Sequence, residues 1–230
     1  MEASSTGAPL NPGVPGVHPE VAIPPEPPEV GARSLYVAGR LLAGATTFFF
    51  LGYLFAYFYL RSLNESGMFK PAHVKPEQGY GAAIAACIVL SALAAIVAGR
   101  QMKRISGGDG GAHAGSWLPA AALALTLGLA AVVLQCLEYT SQHFGPTDGS
   151  YASVFCAWTG LYAIAVLATM YWLETQVASE LRARRAPAAE RRGDIAEADK
   201  LIAPGLDAAV FYWSFLAAIG VITWITLYLL

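Results

Sequence analysis

Five apolar runs dominate this chain of 230 residues, each near the length of about 20 residues that a helix needs to cross a hydrocarbon core about 30 Å thick. They cover approximately Leu35–Leu60, Tyr80–Gly99, Trp117–Tyr139, Tyr151–Val177 and Ala208–Leu230. Lipid offers no water to backbone N–H and C=O groups, so runs of this length satisfy them internally, as helices. The chain is 56% hydrophobic and 13% charged, whereas a soluble domain carries roughly 25% charged residues. The sequence therefore predicts an all-α, polytopic membrane protein: a five-transmembrane-helix bundle over residues 35–230 behind a tail at 1–34. The tail is rich in proline and acid, which predicts an extended, disordered lead-in. It has neither the basic nor the apolar region of a cleavable signal peptide.

Lysine and arginine counts predict the orientation, because cytoplasmic connections carry the excess. One side holds ten of them: Arg33, Arg100, Lys103, Arg104, Arg182, Arg184, Arg185, Arg191, Arg192 and Lys200. The other holds three, Arg61, Lys70 and Lys75, which places the N-terminus in the cytoplasm and the C-terminus outside. Arg40, inside the first span, is close enough to the cytoplasmic end for its long side chain to snorkel. Trp117, Trp172 and Trp213 at inner ends, and Tyr80, Tyr139, Tyr151 and Tyr228 at outer ends, read as interfacial belts. The connection after Val177 predicts an extension of the fourth helix up to Pro187. The glycine-rich stretch "ISGGDGGAHAG" lacks the lysine of a phosphate-binding loop and reads as a hairpin between helices.

Membrane haem and copper sites take histidine, methionine or cysteine ligands from facing helices. His18, His73, His113 and His143 all fall in the tail or in connections, and Cys87, Cys136 and Cys156 stand alone in separate spans. The expectation is a chain with no metal site of its own. Basic residues are confined to membrane-adjacent segments, which gives no support for a nucleic-acid partner. Ala82, Ala86, Ala94 and Ala98 recur at steps of four, or multiples of four, along the second span, a spacing that predicts close approach of a neighbouring helix. Of the two acids in the spans, Glu174 is near enough to the cytoplasmic end to reach interfacial water. Glu138, near the outer end of the third span, is not matched by any lysine or arginine between Leu134 and Leu167. An intramembrane acid is by default a functional-site hypothesis. Gln135, three residues before it, shares its helix face, and Tyr139 is adjacent; both are candidate hydrogen-bond partners. Desolvation favours the neutral form of such an acid, which then donates as well as accepts.

The order "LQCLEY", then "DGSYASVF", then "TG" resembles the central region of cytochrome c oxidase subunit III, with Gln135, Glu138, Tyr139, Asp148, Gly149, Tyr151, Ser153, Phe155, Thr159 and Gly160 in matching order. "AYFYLR", Ala56–Arg61, and "YWSF", with Tyr212 and Trp213, resemble the family's first core helix and its last. Five spans with the N-terminus inside equal the seven-helix form without its first pair. The resemblance implies a non-catalytic subunit of a haem–copper terminal oxidase in aerobic respiratory electron transport, in a bacterial plasma membrane. It further implies direct packing on subunit I, with subunit II in the same complex. Haem and copper would belong to those partners, and structural phospholipid would be the one ligand of this chain. Glu138 would then anchor the bundle, and the chain would support proton uptake and translocation by its partner.

The departures bear on those auxiliary roles. Thr46 stands where the family carries a glutamate, Tyr162 and Ala165 where histidines are expected, Ser214 within "YWSF" where the family has histidine, and Ala217 in place of an aspartate. Groups that would hold lipid headgroups or assist proton uptake are therefore replaced. A subunit III-like component of a quinol oxidase or nitric oxide reductase is the alternative within the resemblance. A small membrane transporter or channel is the alternative outside it, although that class needs midplane polar groups and broken helices.

Overall fold

The computed structural model describes residues 28–64, 67–107, 116–185 and 191–230. The described residues form five long helices: α1 (Pro28–Ser62), α2 (Gln78–Ser106), α3 (Leu118–Ser141), α4 (Ser150–Arg185) and α5 (Arg191–Trp224), the last continuing into one π-helical turn, Ile225–Leu229. All five are long and apolar enough to cross a membrane, so the protein is a membrane-embedded helix bundle.

Helix α5 packs against α1, α2 and α4, while α3 sits against α2 and α4. Half of the spanning stretch of α2 and of α5 is buried, against 17% for α1, so α1 lies on the outside of the bundle. Leu41, Phe48, Phe49 and Phe55 point away from the other helices.

The helix ends sort into two sets. At one end Gly39 and Arg40 of α1 meet Ala208 and Phe211 of α5. There too, Lys103 of α2 pairs with Asp207 of α5 at 2.6 Å. At the other end the 63–77 connection seats Phe69 and Val74 in the core, and the Phe69 carbonyl accepts from the Tyr151 N–H that opens α4. The spans therefore alternate in direction, and the charge count assigns the first end to the cytoplasm. With Cys87, Cys136 and Cys156 replaced by serine, Arg192→Cys should resist an impermeant thiol reagent in intact cells. Lys75→Cys should react, and the opposite labelling pattern would invert the orientation.

Several sequence expectations need correction. Helix α1 begins at Pro28, so residues 28–34 belong to a helix and not to the tail; residues 1–27, with His18, lie outside the described residues. So do Pro187, His113 and most of the glycine-rich hairpin. Helix α5 starts at Arg191, well before Ala208, and carries Pro204 inside it. On α2, Ala94 and Ala98 are buried but Ala82 and Ala86 are exposed. A strict four-residue row advances about 40° per step at 3.6 residues per turn, so it drifts about 160° around the axis between Ala82 and Ala98. The face that packs runs through Gly81, Ile84, Ile88, Ser91, Ala95 and Ala98, and Ser91 Oγ donates to the Ala124 carbonyl of α3 at 2.6 Å. Cys136 is exposed on the bundle surface.

The aromatic belt is also smaller than its positions suggested. Trp117, Trp213, Tyr151 and Tyr228 are buried inside the bundle, leaving Trp172, Tyr80 and Tyr139 at its periphery. Position along each helix was legible in the sequence, but rotation about each helix axis was not. Arg40 is exposed as expected, its guanidinium 3.2 Å from the Tyr36 ring centre and bonded to the Tyr36 carbonyl. Glu174 is likewise exposed.

Candidate functional site

Helix α3 delivers Gln135 and Glu138 to the bundle interior one turn apart, just before the helix stops at Ser141. Glu138 is 0% exposed. Gln135 Nε2 donates to its Oε2 at 2.8 Å, the expected pairing along one helix face. The second donor is the Tyr228 hydroxyl, shared between Oε1 at 2.8 Å and Oε2 at 2.7 Å.

Two features bring Tyr228 to the acid. The π turn adds a residue to the last coil of α5, closed by the Leu230 N–H to the Ile225 carbonyl at 3.2 Å, and so resets the direction in which Tyr228 leaves the helix. Gly81 of α2 supplies the space, since a Cβ there would lie 2.5 Å from the Tyr228 ring. Gln78 Nε2 donates to the Tyr228 carbonyl at 3.4 Å, fastening the turn to the start of α2.

Aromatic rings surround the site. Phe155 meets Tyr228 edge-on with centroids 5.5 Å apart, and stacks on Tyr151 at 6.0 Å. The Tyr151 hydroxyl donates to the Leu227 carbonyl at 2.5 Å, within the π turn. Phe144 and Phe69 close the outer side, each edge-on to a ring of this cluster. The acid is thus held by helices α3 and α5 and roofed by α4 and the connections.

The remaining motif residues have separable tasks. Asp148, Gly149 and Ser153 shape the turn into α4. Asp148 Oδ2 accepts from the Gly145 N–H at 2.7 Å, and Ser153 Oγ donates to the Pro146 carbonyl at 2.5 Å. Gly149 has φ +139°, and a Cβ there would lie 3.2 Å from Pro71, so both backbone and space require glycine. Thr159 gives its one hydroxyl hydrogen to the Phe155 carbonyl at 2.7 Å, which makes Tyr139 the donor in their 2.5 Å bond. Gly160 faces the Tyr139 hydroxyl at ordinary contact distance, with room for a methyl group.

Tyr139 is therefore not a partner of Glu138, contrary to the sequence expectation. Adjacent helical residues diverge by about 100°, so the neighbour of an inward-facing acid faces elsewhere. The partner that sequence reasoning missed, Tyr228, is 90 positions away.

Two further side-chain bonds link helices. Thr46 Oγ1 and the Tyr212 hydroxyl are 2.8 Å apart, linking α1 to α5. Tyr162 donates to the Leu216 carbonyl at 2.9 Å, linking α4 to α5. Trp213 packs over Gly128 of α3.

No protein-family model matches the chain, and no curated protein matches its sequence. Among the described residues no three His, Cys, Asp or Glu side chains converge as a metal would require. A cavity of about 20 Å³ adjoins Gln135, lined in part by Thr159, Tyr162, Thr223, Trp224 and Tyr228. That is room for about one water molecule and excludes an organic substrate. With Gln135 and Tyr228 both donating to it, Glu138 is arranged to join helices.

Proposed function

We propose that this chain is a non-catalytic, subunit III-like component of a haem–copper terminal oxidase, a cytochrome c oxidase of a bacterial plasma membrane. It would pack laterally on subunit I, with subunit II in the complex, and stabilise the lipid and proton-uptake surroundings of its partner. The observation that carries this reading is where the resemblance falls in space. Gln135, Glu138, Tyr151, Phe155 and Thr159, drawn from the segment that resembles subunit III, are all buried at one end of the bundle. Their burial supports a role in holding the helices together.

The substitutions at the family's polar positions fit the same reading. Thr46 bonds Tyr212, and Tyr162 bonds the Leu216 carbonyl, so two of the departures serve to join helices. Oxygen reduction would then lie wholly with the partner subunits, whose haem and copper supply the redox chemistry.

Affinity purification of the tagged chain from its host in mild detergent tests the proposal. The complex should carry a Soret band and copper, whereas the chain expressed alone should carry neither. A fully transport-active preparation with no haem protein would replace this reading with that of a transporter. A haem protein that turns over quinol or nitric oxide and not cytochrome c would move the chain to the alternative complexes. Haem in the isolated chain would overturn its non-catalytic role.

A further inference from the structure

Helices α2, α3, α4 and α5 all contribute to the wall of the cavity of about 20 Å³ beside Gln135, and the hydrogen bonds of that wall leave a mismatch. Tyr162 gives its hydroxyl hydrogen to the Leu216 carbonyl at 2.9 Å, and Thr223 gives its own to the Ile219 carbonyl at 2.8 Å. Thr159 and Tyr228 also spend theirs, on the Phe155 carbonyl and on Glu138. A hydroxyl has one hydrogen and two lone pairs, so what these four side chains still offer the cavity is acceptor oxygens. Trp224, in the same wall, has the opposite need. Its indole Nε1–H is buried without a hydrogen-bond partner among the described residues, and an indole nitrogen can only donate.

Gln135 adds an acceptor of its own. Its Nε2 is committed to Glu138, which leaves Oε1 as the end of the amide that can accept. Two glycines let the rings of the wall come in: a Cβ at Gly220 would collide with the Tyr162 hydroxyl, and one at Gly81 with the Tyr228 ring. The wall therefore turns several lone pairs and one unmatched hydrogen toward a space too small for an organic molecule. A buried polar group left unmatched in an apolar interior is costly.

Size and chemistry together select the occupant. A bound water needs about 10–15 Å³ and about two to four polar partners, and this cavity meets both conditions. A metal cation would face the Trp224 hydrogen, and an anion would face the lone pairs. Water alone among small species both takes a hydrogen and returns two. The adjoining cavity, about 10 Å³ and walled largely by Ile84, Ile88, Ala131, Val132 and Val166, is smaller and aliphatic, which describes a dry void. We propose that the larger cavity binds one ordered water, which accepts from Trp224 Nε1 and donates to Gln135 Oε1 and to a hydroxyl oxygen of the wall. This water joins α5 to α3 beside Glu138, a second polar link between the two helices. The site does not depend on membership of an oxidase.

The test is NMR of the purified full-length chain in detergent micelles, with isotope-labelled tryptophan indoles and water itself as the probe. The 5 tryptophans give one indole signal each, and the signal lost in Trp224→Phe is that of Trp224. In wild type, the Trp224 indole hydrogen should show cross-relaxation to water, with the sign that marks a long-lived bound molecule. Trp158, whose Nε1 is also buried without a partner among the described residues, lines neither cavity and should show none. Ala85→Leu fills the cavity from α2 and should abolish the Trp224 cross-peak. Every hydroxyl of the wall remains in that variant, so the loss separates a bound water from hydroxyl hydrogens in exchange with solvent. The wild-type spectrum by itself overturns the site if the Trp224 cross-peak is absent or is matched at Trp158. Persistence of the cross-peak in Ala85→Leu, with folding read from helical circular dichroism, would overturn it as well.

Discussion

Glu138→Leu should strip the protein from the membrane fraction, whereas Glu138→Gln should accumulate nearly as wild type. In the leucine variant, Gln135 Nε2 and the Tyr228 hydroxyl both lose their acceptor inside a ring-lined interior. A buried donor left without a partner costs about 1–3 kcal/mol, so two cost roughly 2–6 kcal/mol. That is a large share of the stability of a typical domain, about 5–15 kcal/mol. A glutamine keeps shape and one carbonyl oxygen, which can accept from Tyr228. Its NH₂ group would face the Gln135 NH₂, and a flip of the Gln135 amide restores a donor–acceptor match. Membrane abundance and melting temperature in detergent measure both variants. Equal accumulation of wild type and Glu138→Leu would remove the anchor. Intact assembly of Glu138→Gln together with failed proton-coupled turnover would instead give Glu138 a proton-handling role.

Gly81→Ala should destabilise the bundle through Tyr228 although neither group is charged. The added methyl would sit 2.5 Å from two carbons of the Tyr228 ring, which is already held by the Glu138 carboxylate and by the π turn. Overpacking of this kind costs about 1–3 kcal/mol, and any retreat of the ring stretches the bonds to Glu138 as well. Gly79→Ala, two residues earlier with nothing within 4 Å, should be neutral or slightly stabilising, because alanine favours helix. In thermal denaturation, Gly81→Ala combined with Tyr228→Ala should be no less stable than Tyr228→Ala alone, since the clash disappears with the ring. Matching stabilities for Gly81→Ala and Gly79→Ala would show that the Gly81 gap serves no purpose.

What the sequence could reveal about this molecule followed the range of each interaction. Span number and approximate placement are set by local apolar length, so five runs became five helices. Gln135 with Glu138 was readable for the same reason, because three residues along a helix fix a shared face. Tyr228 was visible only as an outer-end aromatic, since a tyrosine at that depth serves equally as a belt residue or a core donor. Choosing between them requires knowing how α5 is rotated, and the π turn changes that rotation within its last residues. The Ala82–Ala98 row failed through the same angle, accumulated over a longer stretch. Helical periodicity itself argued against Tyr139, whose face is set by being next to Glu138 and not one turn away.

The 90 residues separating Glu138 from Tyr228 also give the bond between them a schedule. Synthesis at about 5–20 residues per second puts roughly 5–18 seconds between the two positions. During that interval α3 is in place with its acid, Gln135 on the same helix can donate to it, and α5 has yet to arrive. Each newly made molecule therefore passes through a stage with an incompletely satisfied carboxyl group in the bilayer, and the arrival of α5 ends it. The same acid that secures the finished bundle marks the unfinished one.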